Sequence, residues 1–138
     1  MEDCIFCKII KGEIPSVKIF ENENVFAFLD IEPLSKGHCL VIPKKHFKDI
    51  FDTDKIVLQE IVIAVKNIAE TMKQNLGSDG VNIFNNSGKS AEQGVFHLHF
   101  HIVPRYKEDG LRTVECLSAK AKKSNLEELK EISEKLNF

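Results

Sequence analysis

Residues 97–103 read His-Leu-His-Phe-His-Ile-Val, a strict alternation of imidazole and apolar side chains. Successive side chains of a β-strand point to opposite faces. The stretch therefore predicts a strand, which we extend from Val95 to Pro104, with three histidines on one face. Leu98, Phe100 and Ile102 lie on the opposite face and are suited to a core.

Three interpretations of the histidine face remain open. A solvated strand surface more often carries Thr, Lys, Glu and Ser than histidine. A three-histidine metal site needs convergent ligands, whereas alternate side chains of a flat strand diverge. Phosphate chemistry suits imidazole, which near neutral pH can act as nucleophile, acid or hydrogen-bond donor. The polar loop from Asn86 to Gly94 supplies N–H groups, hydroxyls and an amide for phosphate oxygens, which favours this third interpretation.

The length and the charge of the chain exclude some classes of protein. The chain has 138 residues, which fits one domain spanning residues 1–138, and 19 basic against 21 acidic residues. This balance lacks the basic footprint of a dedicated nucleic-acid binder. The N-terminus is acidic, and no apolar run approaches the length of a membrane span. We expect a cytoplasmic protein that binds neither nucleic acid nor membrane.

Hydropathy periods predict an α+β fold built on an antiparallel sheet. Asn22-Glu-Asn is a hairpin turn signal, and Gly77 follows the end of the long helix. Ser124-Asn-Leu-Glu is a capping box that opens a C-terminal helix with Leu126, Leu129, Ile132 and Leu136 on one face. The predicted elements are strands Val17–Glu21, Val25–Leu29, His38–Pro43, Gly80–Asn85 and Val95–Pro104, a brief helix Cys4–Lys11 and a long helix Thr53–Leu76, capped by Asp52 or Thr53.

The long helix is apolar over more of its circumference than one core-facing stripe needs. Two explanations stay open. The second apolar face is buried by self-association, or the helix is sandwiched within its own domain.

The cysteines have different environments in the sequence. Cys39 lies in an apolar run and is expected in the core, and Cys116 has no partner by spacing. Cys4-Ile-Phe-Cys7 has the spacing of a zinc half-site. A redox dithiol and two unlinked thiols are the competing interpretations.

Four blocks in order carry a resemblance to a known family. They are Phe28-Leu-Asp-Ile-Glu-Pro33, the segment from Gly37 to His46, the spacing from Asn86 to the histidines, and His97–Val103. Together they resemble the histidine triad (HIT) proteins, in the bacterial-type branch with an N-terminal C-x-x-C. The resemblance covers about residues 4–105 and leaves 106–138 as a C-terminal extension. It implies a five-stranded antiparallel sheet with one long helix and a C-terminal helix, extended by homodimerisation.

The resemblance also implies an activity, namely hydrolysis of purine nucleoside 5′-phosphoramidates, as in an adenosine 5′-monophosphoramidase. His99 would be the nucleophile that carries the nucleotidyl group, His101 would bind a phosphate oxygen, and His38 would stand nearby as a fourth histidine. A dinucleoside polyphosphate hydrolase and a nucleotide-sensing scaffold with vestigial activity are the alternatives.

Further residues would hold the nucleotide. Asp30 would accept hydrogen bonds from the ribose hydroxyls, although an aspartate before Pro33 is also typical of a turn. Asn86 would bind on the phosphate and ribose side, and Gln93 and Gly94 would donate to the phosphate or leaving group. Glu92, whose N–H would also bind on the phosphate side, and Gly94 depart from many members, which puts the leaving-group preference in question. The residues matching the base slot are Ile5, Phe6, Ile9, Phe28, Ile31 and Leu40.

The same branch implies a zinc site. By position, His46 and His97 would complete a tetrahedron with Cys4 and Cys7. With four protein ligands this zinc would be structural.

Overall fold

The computed structural model describes residues 3–112 and 125–136, in which five antiparallel strands form one sheet. The strands are Lys18–Glu21 (β1), Val25–Leu29 (β2), Cys39–Pro43 (β3), Gly80–Phe84 (β4) and Phe100–Arg105 (β5), in the spatial order β1-β2-β3-β5-β4. The helices are Ile5–Ile10 (α1), Lys55–Leu76 (α2) and Leu126–Leu136 (α3), with a 3₁₀ turn at Lys89–Ala91. The predicted α+β fold is confirmed.

The β1–β2 hairpin forms where the sequence predicts it. The side-chain oxygen of Asn22 accepts hydrogen bonds from the N–H groups of Asn24 at 3.0 Å and Val25 at 2.7 Å. This is the local hydrogen bonding that favours Asn in turns.

The two faces of the sheet pack against different helices. Alternate residues of β2 and β3 point toward α2, including Ala27, Cys39 and Val41. The intervening residues Phe26, Phe28, Leu40 and Ile42 pack with Phe6 and Ile9 of α1. Cys39 is fully buried, as expected, and burial raises the pKa of its thiol to about 12.

Helix α2 begins later than predicted, with Asp54 at its N-cap. The prediction of Asp52 or Thr53 as the cap is wrong because the preceding loop uses both side chains. Asp52 accepts from the N–H of Lys48 at 2.9 Å, and the Thr53 hydroxyl donates to the carbonyl of Asp49 at 2.7 Å. The helix ends at Gly77, whose φ of 69° is left-handed.

Only one face of α2 is buried among the described residues. Ile61, Val65 and Ile68 pack into the core, whereas Val62 and Ile63 are more than half exposed. A helix sandwiched on both faces within its own domain is therefore not what the described residues form. No described residue buries the second apolar face.

Strand β5 is shorter than predicted. Its pairing ends at Val41 opposite Phe100 and at Phe84 opposite His101, so His97 and His99 precede the regular strand. Before Phe100 the backbone bonds to a loop instead of a strand, since the N–H of Leu98 donates to the carbonyl of Phe47 at 2.7 Å. The predicted alternation nevertheless holds, since Leu98 and Ile102 are buried in the core that α2 covers.

The C-terminal part is described only in α3. Ser124 of the predicted capping box and Cys116 lie outside the described residues. The predicted apolar stripe of Leu126, Leu129, Ile132 and Leu136 is exposed. Among residues 3–112 and 125–136, no helix has both the length and the apolar character needed to cross a membrane.

Candidate catalytic and metal site

The five histidines lie close together, with His97 and His99 against Phe6 of α1 and the ring centre of His46 4.9 Å from that of His97. His97, His99 and His38 are buried, and His101 is partly exposed. The ring centres of His99 and His101 are 5.1 Å apart, and the ring centre of Phe6 lies 5.3 Å from that of His99, with the two planes nearly perpendicular. Because the surroundings are apolar, the arrangement favours neutral imidazoles.

The tautomer of His99 is fixed by its own backbone. Its Nδ1 lies 2.7 Å from the carbonyl oxygen of His97, an acceptor only, so Nδ1 carries the proton. The lone pair is therefore on Nε2. Burial lowers the pKa of His99, while the bond to the His97 carbonyl and the Asp30 charge oppose the shift. A neutral imidazole with a free Nε2 has the form that a nucleophile requires.

A second set of hydrogen bonds fixes the proton of His101. The N–H of Leu34 donates to Nδ1 of His38 at 3.0 Å, so the proton of neutral His38 is on Nε2. That Nε2 lies 3.0 Å from Nδ1 of His101 and donates to it. The proton of neutral His101 is then on its Nε2. Burial, followed by His99 and His38, lowers the pKa of His101 to about 4.

The same bonds argue against a metal at Asp30, His38 and His101, although ligand atoms of these residues lie within 4.8 Å of one another. A metal on Nε2 of His38 requires the proton on Nδ1, but Nδ1 already accepts from Leu34. This group is a hydrogen-bonded relay.

The sequence left two alternatives for Asp30, a residue that stabilises a turn or an acceptor for the ribose hydroxyls. One oxygen of Asp30 stabilises a turn, and the other is not used for it. Its Oδ1 accepts from the N–H of Glu32 at 2.8 Å. Its Oδ2 lies 3.6 Å from Nε2 of His38, and the side chain is 18% exposed. One carboxylate oxygen thus remains accessible beside the histidines.

Cys4, Cys7, His46 and His97 form a second cluster, with ligand atoms all within 4.8 Å of one another. Nδ1 of His97 lies 3.4 Å from the Cys4 sulfur and 3.6 Å from the Cys7 sulfur, and Nδ1 of His46 lies 3.4 Å from Cys7. Tetrahedral zinc with ordinary bond lengths separates sulfur and nitrogen ligands by about 3.5 Å. The donor set therefore fits zinc in both chemistry and spacing.

His97 is oriented for this cluster by the backbone. Its Nε2 donates to the carbonyl of Pro43 at 2.8 Å, which leaves the Nδ1 lone pair facing the sulfurs. Burial is the main cause that lowers the pKa of His97 to about 4. Burial also raises the pKa of Cys7, together with its neighbour Cys4.

Comparison with known proteins agrees with this geometry. A family model described as HIT domain matches residues 11–108. An uncharacterized HIT-like protein of Methanocaldococcus jannaschii is 52% identical over 107 residues, which are 78% of this chain and 82% of the relative. An adenosine 5′-monophosphoramidase of Candida albicans is 40% identical over 109 residues, 76% of this chain and 72% of the relative. A zinc-bound histidine triad family protein from Mycobacterium smegmatis has a TM-score of 0.78 at 42% identity, with 81% of each chain covered.

The chain belongs to the HIT family. Membership makes it, in general class, a nucleotide-binding hydrolase. The predicted family and the predicted five-stranded antiparallel fold are confirmed, whereas homodimerisation and the roles of individual residues stay predictions.

In the loop of this HIT domain before His97, some polar groups bond to other parts of the protein and others do not. The Gln93 amide donates to the carbonyls of Lys48 and Val95, and its oxygen accepts from the N–H of Gly88. Both polar atoms of the Gln93 side chain thus stabilise the loop. Within residues 3–112 and 125–136, the Asn86 side chain and the Gly94 N–H have no hydrogen-bond partner, which leaves them free for a ligand.

Glu92 adopts a left-handed conformation, with φ of 59°. Its N–H donates to the carbonyl of Lys89 at 3.0 Å, and its side chain is exposed. Open space surrounds the position of a Cβ at Gly94.

The residues expected around the base fall into two groups. Phe6, Ile9, Phe28 and Leu40 are buried and form the floor beneath the histidines. Ile31, which is 96% exposed, and Ile5 are accessible from outside.

Sequence reasoning missed several residues of the HIT site. Phe84 stacks on His101 with ring centres 4.5 Å apart, and Asn85 donates to the carbonyl of His99 at 2.8 Å. The backbone groups of Leu34 and Pro43 fix two of the histidines. Only Phe84 had a usable signal, since β4 pairs with β5 and brings it opposite His101.

Proposed function

We propose that this HIT protein hydrolyses purine nucleoside 5′-phosphoramidates, with adenosine 5′-monophosphoramidate as the typical substrate, through a nucleotidyl intermediate on His99. The observation that carries the proposal is the fixed tautomer of His99, whose Nδ1 donates to the His97 carbonyl at 2.7 Å. The relative from Candida albicans, named as an adenosine 5′-monophosphoramidase, supports the substrate class.

The nucleotide would be placed by groups that have no hydrogen-bond partner among the described residues. The accessible oxygen of Asp30 accepts hydrogen bonds from the ribose hydroxyls, and Asn86 and the N–H of Gly94 bind on the phosphate side. Ile31 covers the base, above the floor that Phe6 and Phe28 form. These contacts hold the α-phosphorus against His99, and such positioning lowers the barrier by making attack effectively intramolecular.

The reaction has two balanced steps. In the first, Nε2 of His99 forms a bond to the α-phosphorus while the phosphorus–nitrogen bond of the substrate breaks, and the leaving amine takes up a proton from the solvent. In the second, water attacks the phosphorus, the bond to His99 breaks, the proton of the water passes to the solvent, and the nucleoside monophosphate leaves. His99 returns to its neutral form after each cycle.

His101 would stabilise the charge that develops on the phosphate oxygens. The relay from Leu34 through His38 keeps the His101 proton on Nε2. A fixed donor of this kind costs no reorganisation as charge develops, which is the property of an oxyanion hole.

We also propose a structural zinc ion held by Cys4, Cys7, His46 and His97. The spacing of these ligands fits zinc, and the similar Mycobacterium smegmatis protein is zinc-bound. With four protein ligands, the ion would serve as a clamp with no open position for a reactant. The clamp would tether α1 to His97, whose carbonyl sets the His99 tautomer.

The protein would act as a homodimer of single domains. Helix α2 and the edge strand β4 border an open groove of about 460 Å³, whose lining includes Val62, Ala69 and Val81. The hydroxyl of Ser78, also in the lining, is buried without a hydrogen-bond partner among the described residues. A second copy would cover the apolar face of α2 and pair with the exposed edge of β4.

The decisive test is turnover of adenosine 5′-phosphoramidate by the wild type and by His99→Ala, with circular dichroism to show that both are folded. We expect turnover by the wild type and a loss of at least a thousandfold in the variant. Equal rates remove His99 from its role. Faster turnover of a dinucleoside polyphosphate shifts the substrate class, and binding of AMP without turnover of any substrate favours a nucleotide sensor.

A further inference from the structure

The strand pairing of the sheet stops just short of the proposed nucleophile. The last β4–β5 pair is Phe84 opposite His101, and β3 pairs with β5 no further than Phe100. His99 lies beyond both ladders, although its ring must be held in one orientation for in-line attack. Its peptide carbonyl therefore needs a partner other than a neighbouring strand.

The side chain of Asn85 supplies that partner. Its Nδ2 donates to the carbonyl oxygen of His99 at 2.8 Å, directly after β4 ends at Phe84. The amide thus replaces the backbone bond that a longer strand would have made. It continues the pairing between β4 and β5 by one hydrogen bond, next to the point where Leu98 bonds to Phe47 instead.

Asn85 is itself held from a distant loop. The hydroxyl of Ser87 donates to Oδ1 of Asn85 at 2.6 Å, and the N–H of Ile50 donates to the Ser87 hydroxyl oxygen at 3.1 Å. In these bonds the amide oxygen of Asn85 acts as the acceptor and its amide nitrogen as the donor. The chain of bonds runs from the β3–α2 loop to the peptide of His99.

We propose that Asn85 is a positioning residue that fixes the backbone of His99 and, through it, the direction of the nucleophilic Nε2. The inference rests on the proposed function for its effect on catalysis, but not for its effect on the ring. The bond from His99 Nδ1 to the His97 carbonyl joins atoms two residues apart, and its geometry depends on the backbone angles of His99. A His99 peptide released from Asn85 loosens this bond and allows the other tautomer.

The chemistry of the amide makes the role specific to Asn. Aspartate has the same shape but presents an oxygen to the His99 carbonyl oxygen, so attraction becomes repulsion. Leucine has a similar volume and neither donor nor acceptor. If Asn85 only filled space, its replacement by leucine would leave the orientation of the His99 ring unchanged.

The experiment compares the wild type with Asn85→Leu, Asn85→Asp and Ser87→Ala. Asn75→Leu serves as the matched control because Asn75 is exposed on α2, away from the histidines. Two quantities are measured, namely kcat and KM for adenosine 5′-phosphoramidate and the tautomer of His99 by ¹⁵N NMR of histidine-labelled protein.

For both Asn85 variants we expect kcat to fall about tenfold to a hundredfold with KM within about twofold, since misplacement of a reacting group has effects of this order. The ¹⁵N spectrum should change from one His99 tautomer to a mixture. Ser87→Ala should shift both quantities in the same direction by less, and Asn75→Leu should leave them unchanged.

A folded Asn85→Leu protein with an unchanged tautomer and a kcat within twofold of the wild type overturns the proposal. Where the Asn85 variants do not fold, Ser87→Ala decides in the same way. A wild type without turnover refutes the proposed function, and the NMR spectra then still decide whether Asn85 orients His99.

Discussion

Nε2 of His38 lies 3.0 Å from Nδ1 of His101, and the N–H of Leu34 fixes which of the two atoms carries the proton. The pair acts as one unit, because a change at His38 alters which nitrogen of His101 carries the proton. In the proposed reaction, His38 would therefore act through His101 without touching the reacting atoms.

This relation predicts different effects of two substitutions at His38. His38→Leu removes the donor to His101, and we expect kcat to fall at least tenfold. His38→Gln keeps an N–H donor at a similar reach, so most of the activity should remain. Steady-state kinetics on both variants makes the comparison, and equal losses in the two would show that His38 acts by packing alone.

The zinc proposal predicts a loss of metal from a single thiol change. Cys7→Ser should lower the zinc content from about one ion per chain to near zero, because a hydroxyl is a poor substitute for a thiolate. The Tm should fall by more than about 5 °C, since metal binding contributes to folding free energy.

Cys39→Ala is the control for the zinc experiment. It removes a thiol that is buried in the core, away from the cluster, and should keep the metal. Elemental analysis of the purified proteins measures the content. Wild-type protein purified without zinc, and unable to take it up, would refute the site.

Some of this architecture follows from the sequence and some does not. The β1–β2 hairpin and α2 depend on neighbouring residues, so their local patterns predict them. The bonds from Pro43 to His97 and from His38 to His101 join residues 54 and 63 positions apart, and no periodicity indicates them. The predicted start of β5 at Val95 is wrong because the alternation of side chains already exists in residues 97–99, where β4 and β5 are not yet paired. There the side chain of Asn85 bonds to the backbone of His99.

Burial of the histidines predicts a loss of stability in acid. The folded protein lowers the pKa of His38, His99 and His101, the last to about 4, mainly by burial. Below an unfolded pKa of about 6.5 the unfolded chain binds protons that the folded chain excludes. The free energy of unfolding should therefore be level above about pH 6.5 and fall as the pH decreases toward 4.

Urea unfolding between pH 7.5 and 4.5 measures this dependence. His101→Asn removes one of these three bases, so its free energy of unfolding should decline less steeply than that of the wild type. A wild-type stability that is constant or rises on acidification would contradict the proposed neutral histidines.

Gly37 carries a prediction about the loop that delivers His38. Its φ is +92°, and a Cβ there would lie 2.6 Å from the Cδ1 of Leu76. Gly37→Ala should lower the free energy of unfolding by about 2–3 kcal/mol, through strain and overlap together.

Gly12→Ala separates the two causes. Gly12 also has a left-handed φ of +76°, but nothing lies within 4 Å of its added Cβ. Strain alone should reduce the stability of this variant by about 1 kcal/mol. Equal losses in the two variants, measured by chemical denaturation, would show that Leu76 moves aside without cost.

The most direct test of the central claim is to trap the covalent intermediate. Wild-type protein and His99→Asn are mixed with adenosine 5′-phosphoramidate, quenched within the first turnover in alkaline denaturant to preserve a phosphorus–nitrogen bond, and examined by peptide mass spectrometry. The account predicts an adenylyl group on His99 in the wild type and none in the variant. An adenylyl group on another residue, or full turnover by His99→Asn, would contradict it.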